Sequence, residues 1–139
     1  IAESVDEMIK FEVDLPSNHQ NGKIPILDVQ AKVNKEEQNR LDFEFFEKPS
    51  KNKFVILSNS AISSKQKRTI LTQECLRRMR NTKPELGRGV QIKYMNEFMN
   101  KMKNSGYNAN YRKQIMESAF NAFEKIIEDD KSGKKNPHV

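Results

Sequence analysis

Apolar and polar residues alternate with a period of two through the first third of the chain. The alternation covers residues 9–15, 27–33 and 41–45. It predicts three half-buried strands, because successive side chains of a strand point to opposite faces of the sheet. Short polar segments connect the three, which favours a small antiparallel sheet that is covered on one face only. Residues 54–57 fit either a further short strand or an extended link.

Beyond residue 63 the apolar positions repeat with helical period. We predict three helices, at about 64–81, 90–104 and 109–130. Ser63 or Ser64 can cap the first of them. Its apolar arc consists of Leu71, Thr72, Cys75, Leu76 and Met79. The predicted fold class is therefore α+β, a small antiparallel sheet of about three strands followed by a three-helix bundle. The predicted organisation is a β region, a helical region and a linker or tail, at 1–57, 58–131 and 132–139.

Basic residues are concentrated in the middle of the chain. The 139 residues carry a net charge of +6, yet residues 48–83 contain ten Lys and Arg and a single acid, Glu74. Residues 1–47 are acidic, with eleven Asp and Glu against five bases. Positive charge focused in this way attracts polyanions, of which nucleic acid is the commonest large one. The predicted nucleic-acid contacts are Lys48, Lys51, Lys53, Lys65, Lys67, Arg68, Arg77, Arg78 and Arg80.

Most of these bases fall on the first predicted helix, in two groups. Residues 65–68 and 77–80 lie about three helical turns, or ~15 Å, apart, so one helix can reach phosphates at both ends. Gln66 and Gln73 lie between the groups and can contact sugars or bases. Two other interpretations stay open: a solvated face whose charges pair with the acidic strands, or a docking surface for an acidic protein. The acids available for such pairing are Glu36, Glu37, Glu44 and Glu47.

Residue patterns typical of catalysis or metal binding are missing. His19, His138 and Cys75 do not have zinc-ligand spacing, and the sequence has no Gly-rich phosphate loop. The pair Asp129-Asp130 is expected at the polar end of the last helix rather than in a two-metal site. We therefore predict no catalytic residue, metal ligand or cofactor within this chain. Cys75 lies on the apolar arc of its helix, where a buried thiol is expected.

The expected environment is intracellular, nuclear or cytoplasmic. The chain has a single cysteine, which excludes an intrachain disulfide. Its apolar runs are far shorter than the ~20 residues that span a membrane, so we expect no membrane partner.

Five short motifs stand in order between residues 23 and 78. They are Lys23-Ile-Pro-Ile-Leu-Asp-Val29, Phe45-Phe-Glu-Lys-Pro49, Ser60-Ala-Ile-Ser, Lys67-Arg-Thr and Leu76-Arg-Arg78. The series resembles the region after the catalytic palm in reverse transcriptases of Penelope-like retroelements. Those proteins have a Pro-Phe-Leu-Asp strand, a Tyr-Arg-Lys-Pro strand end and then a basic helix. The resemblance covers residues 9–82 by motif, and the helices to about 130 by arrangement. Ile26, Phe46 and Glu47 replace the usual Phe, Tyr and Arg.

The resemblance implies that the strands form the palm edge and primer-grip hairpin and that the helices form the thumb. In such a polymerase the thumb binds the template–primer duplex, and the hairpin around Asp28 and Lys48 positions the primer strand. The catalytic Asp pair and its divalent metal would lie in an upstream palm domain of the same polypeptide, which would be a second partner. This chain would then be a fragment of an RNA-directed DNA polymerase.

Two other functions fit the same sequence. One is a free-standing DNA- or RNA-binding module whose basic helix enters a groove and reads base edges. The other is an assembly protein that uses its basic face to dock an acidic partner.

Overall fold

A three-stranded antiparallel sheet precedes three helices, which confirms the predicted α+β class. The computed structural model describes residues 10–48 and 53–133. The strands follow one another in the sheet as in the chain: β1 (Ile24–Ile26), β2 (Val29–Asn34) and β3 (Arg40–Phe45). The helices are α1 (Ser64–Arg80), α2 (Arg88–Asn104) and α3 (Ala109–Lys131). Within the described ranges, none of the helices has the length and apolar character needed to cross a membrane.

The segment predicted as the first strand is not a strand. Residues 10–15 have no regular structure, and their apolar side chains are half or more exposed. Ile9, where the predicted strand begins, lies outside the described residues. The neighbouring sheet edge explains the difference: it is β1, three residues long, and its central Pro25 has no N–H to donate to a further strand. A segment of alternating apolar and polar residues that has no neighbouring strand to pair with remains exposed to solvent.

The first strand of the sheet arises instead from a tight hairpin. Leu27 and Asp28 form a two-residue turn that sets Ile26 opposite Val29. Leu27 has a φ of 54° and is 94% exposed. A bulky side chain is strained in that backbone region, which glycine or asparagine usually occupies. The hairpin tip therefore combines backbone strain with an exposed apolar side chain.

The helices match the predicted bounds to within two residues. The Ser63 hydroxyl accepts the N–H of Gln66, whose side chain in turn accepts the N–H of Ser63, and this capping box starts α1. The predicted apolar arc of α1 is confirmed, with Thr72 its one half-buried member. The core is formed by Leu71, Cys75, Met79, Met95, Phe98, Met102, Tyr107, Ile115 and Ala119.

The sheet meets the helices at the end of β3 and at the residues that follow α1. The ring of Phe45 packs edge-on against Tyr94 of α2, with ring centroids 5.6 Å apart. The N–H of Phe45 donates to Thr82 Oγ1 at 3.2 Å, and the N–H of Lys83 donates to the carbonyl of Phe43 at 2.9 Å. The segment after α1 thus covers the outer edge of β3. The predicted boundaries after residues 57 and 131 stay predictions.

Residues 53–60 form a link without regular secondary structure that ends in a turn at residues 58 and 59, so the short strand considered for 54–57 is not formed. The link is held by Ser105 and Tyr107, which flank the turn between α2 and α3. The N–H of Ser58 donates to the carbonyl of Ser105, and the N–H of Val55 donates to its hydroxyl, both at 2.9 Å. The hydroxyl of Tyr107 donates to the carbonyl of Ile56 at 2.8 Å. The link therefore ties the α2–α3 turn to the start of α1.

Candidate nucleic-acid interface

Lys67 of α1, one of the predicted phosphate contacts, lies inside the fold. Its side chain is 8% exposed, and its ammonium group donates to the carbonyls of Ser58 and Ser60 at 2.8 and 2.7 Å. The helical position explains this burial, because Lys67 precedes Leu71 by about one turn and shares its face. The charge of Lys67 stabilises the turn before α1, and its burial removes it from the candidate interface.

Arg78 is also buried, at 4% exposed. Its guanidinium group donates to the backbone carbonyl and the carboxylate of Glu74 at 2.8 and 3.0 Å. It lies over the rings of Phe45 and Phe98, at 4.7 and 4.3 Å from their centroids. Cation–π contacts strengthen when the cation is desolvated, so Arg78 serves to connect α1, α2 and β3. Its burial likewise removes it from the surface that a nucleic acid could reach.

Two further bases pair with acids of the sheet. Arg77, whose side chain is 33% exposed, donates to Asp28 at the hairpin tip and to Glu74, both at 2.9 Å. Lys83 donates to Asp42 at 2.8 Å, and this hydrogen bond holds the pKa of that carboxyl below its usual value. Ion pairing between the basic residues and the acidic sheet region, one of the interpretations that the sequence left open, therefore occurs. It uses Asp28 and Asp42, which were not among the four acids expected to pair, and also Glu47, which was: Glu47 Oε1 lies 3.7 Å from Arg78 Nη2.

The remaining described members of the predicted set have exposed side chains. They are Lys48, Lys53, Lys65, Arg68 and Arg80. Lys51 lies outside the described residues. Lys65 and Arg80 stand at the two ends of α1, about 22 Å apart along its axis.

An exposed face of α1 runs between Lys65 and Arg80, and we call it the α1 ridge. Between these two bases the face carries Gln66, Thr69, Ile70 and Gln73. These residues recur at three- and four-residue spacing, so their side chains share one side of the helix. Two shallow concave surfaces follow the ridge, one over its first half and one over its second. The ridge therefore has an uncharged stretch from Gln66 to Gln73 and an exposed cation at either end. The paired side chains of Glu74 and Arg77 line its second concave surface, before Arg80.

Arg68 lies beside the ridge, on the side that faces α3. Its guanidinium group donates to Gln114 Oε1 at 2.9 Å and lies 5.5 Å from the ring centroid of Tyr111. That ring in turn stacks on Tyr107 at 5.0 Å. Because the side chain of Arg68 is still exposed, these contacts orient the guanidinium group and leave it accessible to an anion. Sequence reasoning did not identify Tyr111 as its support, since the two residues belong to different helices.

The one cysteine is placed among methionine sulfurs in the core, which confirms its predicted burial. The Sγ of Cys75 lies 3.3 Å from Met95 Sδ and 3.9 Å from Met116 Sδ. Burial raises the pKa of the Cys75 thiol to about 12, so it stays protonated and unreactive near neutral pH. Over residues 10–48 and 53–133, His, Cys, Asp and Glu side chains form no group of three or more that could hold a metal ion.

No family model, curated protein or solved structure matches the chain.

Proposed function

We propose that the chain is the primer-grip and thumb portion of a reverse transcriptase, and that it binds template–primer duplex through the α1 ridge. The observation that carries the proposal is the distribution of charge on α1. Lys65 and Arg80 are exposed at its ends, whereas Lys67 and Arg78 face the interior. Phosphate contacts position a protein on a duplex, so two separated cations can set the direction of the helix across the duplex.

The width of the ridge fits either the wide minor groove of an A-form duplex or the ~12 Å major groove of B-DNA, and the resemblance to reverse transcriptases favours the first. An α-helix with its side chains is about 10–12 Å across, which is wider than the ~6 Å minor groove of B-DNA. The minor groove of an A-form duplex is wide and shallow and displays 2′-hydroxyl groups. Gln66, Thr69 and Gln73 offer amide and hydroxyl groups to such a surface, and Ile70 offers an apolar contact to the sugars. An RNA–DNA hybrid is therefore the proposed ligand.

The hairpin tip is linked to the ridge by the ion pair of Arg77 and Asp28. In the proposed polymerase the hairpin positions the primer strand while α1 holds the duplex, and the ion pair fixes the distance between them. Such positioning raises the reaction rate by holding the primer 3′ end in place. The catalytic carboxylates and the divalent metal belong to the palm.

Fluorescence anisotropy with a labelled RNA–DNA hybrid tests the proposal, with DNA duplex and single strand of equal length for comparison. We expect the hybrid to bind most tightly and its affinity to fall steeply with salt concentration. The double variant Lys65→Gln with Arg80→Gln should reduce the slope of log affinity against log salt by about two, because each base neutralises one phosphate. A matched control is Lys32→Gln with Lys35→Gln, which removes the same charge from the sheet and should leave the slope unchanged.

The alternatives give different results in the same assay. Tighter binding to one DNA sequence than to the hybrid would contradict the thumb and favour a free-standing module that reads base edges. No binding to any of the three ligands at low salt would contradict both. The exposed bases would then be assigned to docking of an acidic protein.

A further inference from the structure

Arg68 of α1 is held in place by uncharged groups. Its guanidinium group donates to Gln114 Oε1 at 2.9 Å and lies 5.5 Å from the ring centroid of Tyr111, and both partners belong to α3. Over residues 10–48 and 53–133, no carboxylate comes within ion-pair distance of this guanidinium group. Arg68 is nevertheless exposed. The contacts therefore orient Arg68 without compensating its positive charge.

Arg77 of the same helix shows the other arrangement. It donates to the carboxylates of Asp28 and Glu74, both at 2.9 Å. Two acids compensate its charge, so this arginine connects the hairpin to α1 and adds little to the field that a ligand meets. The neutral partners of Arg68 distinguish a guanidinium group that is available to an anion from one that is used within the fold.

The support beneath Arg68 is anchored in the interior. The Tyr111 ring stacks on Tyr107, with ring centroids 5.0 Å apart and an angle of 18° between the ring planes. Tyr107 is 7% exposed, and its hydroxyl donates to the carbonyl of Ile56 at 2.8 Å. A guanidinium group has five N–H donors and binds two phosphate oxygens at once. Gln114 accepts one of these donors, which leaves enough of them for such a phosphate.

Arg68 also lies away from the line that joins the two end cations of the α1 ridge. It follows Lys65 by three residues, so it lies about 60° around the helix from Lys65, on the side of α3. Contacts from Lys65 and Arg80 alone set the direction of α1 across a duplex but leave the helix free to rotate about its own axis. A third contact away from that line removes this freedom.

We infer that Arg68 binds a backbone phosphate of the strand that flanks α1 on its α3 side, and that Tyr111 and Gln114 are the positioning residues for this contact. The inference rests on the proposed function and deepens it, because the interface then combines α1 with α3. Phosphate contacts fix the register and orientation of a protein on a duplex. The contribution of Arg68 is to fix the rotation of α1 in the groove.

The charge of Arg68 is tested by Gln114→Glu, which keeps an acceptor for the guanidinium group and supplies the carboxylate that the site lacks. In the anisotropy assay with the RNA–DNA hybrid, we expect the slope of log affinity against log salt to fall by about one, because the compensated arginine no longer neutralises a phosphate. Arg68→Gln should lower the slope equally. Asn100→Glu adds the same charge to an exposed position of α2 and is the matched control, whose slope should stay unchanged. Melting temperatures should stay unchanged as well, since a surface ion pair contributes little to stability.

The positioning role is tested by Tyr111→Leu, which removes the ring and leaves the charge. We expect hybrid affinity to fall about fivefold with an unchanged salt slope, because the freed arginine side chain must then be ordered on binding. Tyr111→Phe keeps the stacked ring and should restore the affinity. If Tyr111→Leu does not fold, the slope of Gln114→Glu decides the inference.

A native salt slope in both Gln114→Glu and Arg68→Gln would overturn the phosphate contact. A loss of slope in Asn100→Glu as large as that in Gln114→Glu would overturn it too, since overall charge would then explain the effect. Native affinity in a folded Tyr111→Leu chain would overturn the positioning role. If Lys65→Gln with Arg80→Gln lowers the slope by about two while Gln114→Glu does not change it, the proposed function stands and only this inference fails. Absence of hybrid binding by the unaltered chain would overturn both.

Discussion

Lys65 and Lys67 stand two positions apart in α1, and the fold uses them in opposite ways. Successive helical residues are about 100° apart, so these two side chains point to nearly opposite sides of the helix. Lys65 is exposed at the start of the α1 ridge. Lys67 is buried and donates to two backbone carbonyls of the link. The charge of Lys65 is therefore available to a ligand, whereas the charge of Lys67 stabilises the fold.

Replacing Lys67 by Met should destabilise the protein without weakening nucleic-acid binding. Met keeps the shape of the side chain but leaves the carbonyls of Ser58 and Ser60 without their donor, which costs about 1–3 kcal/mol of unfolding free energy. Lys65→Met is the matched control and should change stability by less than about 0.5 kcal/mol. Urea unfolding followed by circular dichroism measures both. In the anisotropy assay the order should reverse, with Lys65→Met weakening hybrid binding and Lys67→Met leaving it intact. Weaker binding with unchanged stability in Lys67→Met would contradict the structural role.

Part of this distinction was readable from the sequence. Lys67, Leu71 and Cys75 follow at four-residue spacing, and Arg78 falls close to the same line, so a helical wheel places both bases on the buried side. The residue types predicted exposure instead, because Lys and Arg side chains are almost always exposed. The groups that satisfy Lys67 lie in the link before α1, and their closeness depends on how the link packs against the α2–α3 turn. That contact cannot be located from local sequence.

At the scale of elements, the ion pair of Asp42 and Lys83 joins β3 to the segment after α1. The hydrogen bond from Lys83 lowers the pKa of Asp42 below its usual value of 3.8, and burial opposes the shift without cancelling it. A carboxyl whose pKa is lower in the folded state stabilises that state above the unfolded pKa. The contribution is lost as the pH falls through the folded pKa.

We therefore expect the free energy of unfolding to decrease as the pH falls below about 4, and Asp42→Asn to flatten this dependence. Lys83→Met should flatten it as well, since it removes the cause of the shift. Glu36→Gln, which neutralises an exposed acid in the β2–β3 turn, is the matched control and should preserve the slope. Urea denaturation at a series of pH values gives the comparison. An unchanged slope in both Asp42→Asn and Lys83→Met would mean that the pair adds nothing to the attachment of β3.

Helices and strands differed in how far the sequence determined them. The bounds of α1 depend on local signals, above all the capping box of Ser63 and Gln66, and were predicted closely. A strand needs a neighbouring edge, and the pattern of residues 10–15 carries no information about where that edge lies. The edge strand of the sheet is instead Ile24–Ile26, which the Leu27-Asp28 turn brings beside β2. Periodicity did not reveal this hairpin, because Leu27 occupies a turn position with positive φ that glycine usually marks; only the motif resemblance implied a hairpin around Asp28.

For the whole molecule, the sequence predicted which residues are apolar but not which face of the sheet the helices cover. Periodicity defines two faces and leaves open which of them meets α2. That choice follows from the position of Tyr94 against Phe45 and from the acids that pair with Lys23 and Lys83. The exposure of Ile26, Val33 and Leu41 and the burial of Lys67 and Arg78 are therefore results of tertiary packing. The same packing determines the α1 ridge, since it decides which bases of α1 remain at the surface.

The link between the sheet and the bundle packs closely against the α2–α3 turn at one point, where Ser58 meets Gly106. Gly106 follows α2 with a φ of 93°, and a Cβ added there would clash with Ser58 Oγ. Gly87 has nearly the same φ, 92°, but nothing lies within 4 Å of its added Cβ. The two glycines therefore share a positive φ and differ in the contact with Ser58. Gly87→Ala measures the cost of placing a side chain on such a backbone without a clash, about 1–3 kcal/mol at a φ of 92° and a ψ of 160°.

Gly106→Ala should destabilise the protein by more than Gly87→Ala, because the added methyl group forces the Ser58 hydroxyl out of its position, next to the hydrogen bond from the Ser58 N–H to the Ser105 carbonyl. The link, the α2–α3 turn and the start of α1 share these contacts, so the loss should appear as one cooperative shift of the urea transition. Adding Ser58→Ala removes the clashing hydroxyl and should recover the excess, giving a coupling energy of about 0.5–3 kcal/mol between the two sites in a double-mutant cycle. Equal losses of unfolding free energy in Gly106→Ala and Gly87→Ala would contradict this role of the contact between Ser58 and Gly106. So would a Gly106→Ala variant whose stability does not recover when Ser58→Ala is added.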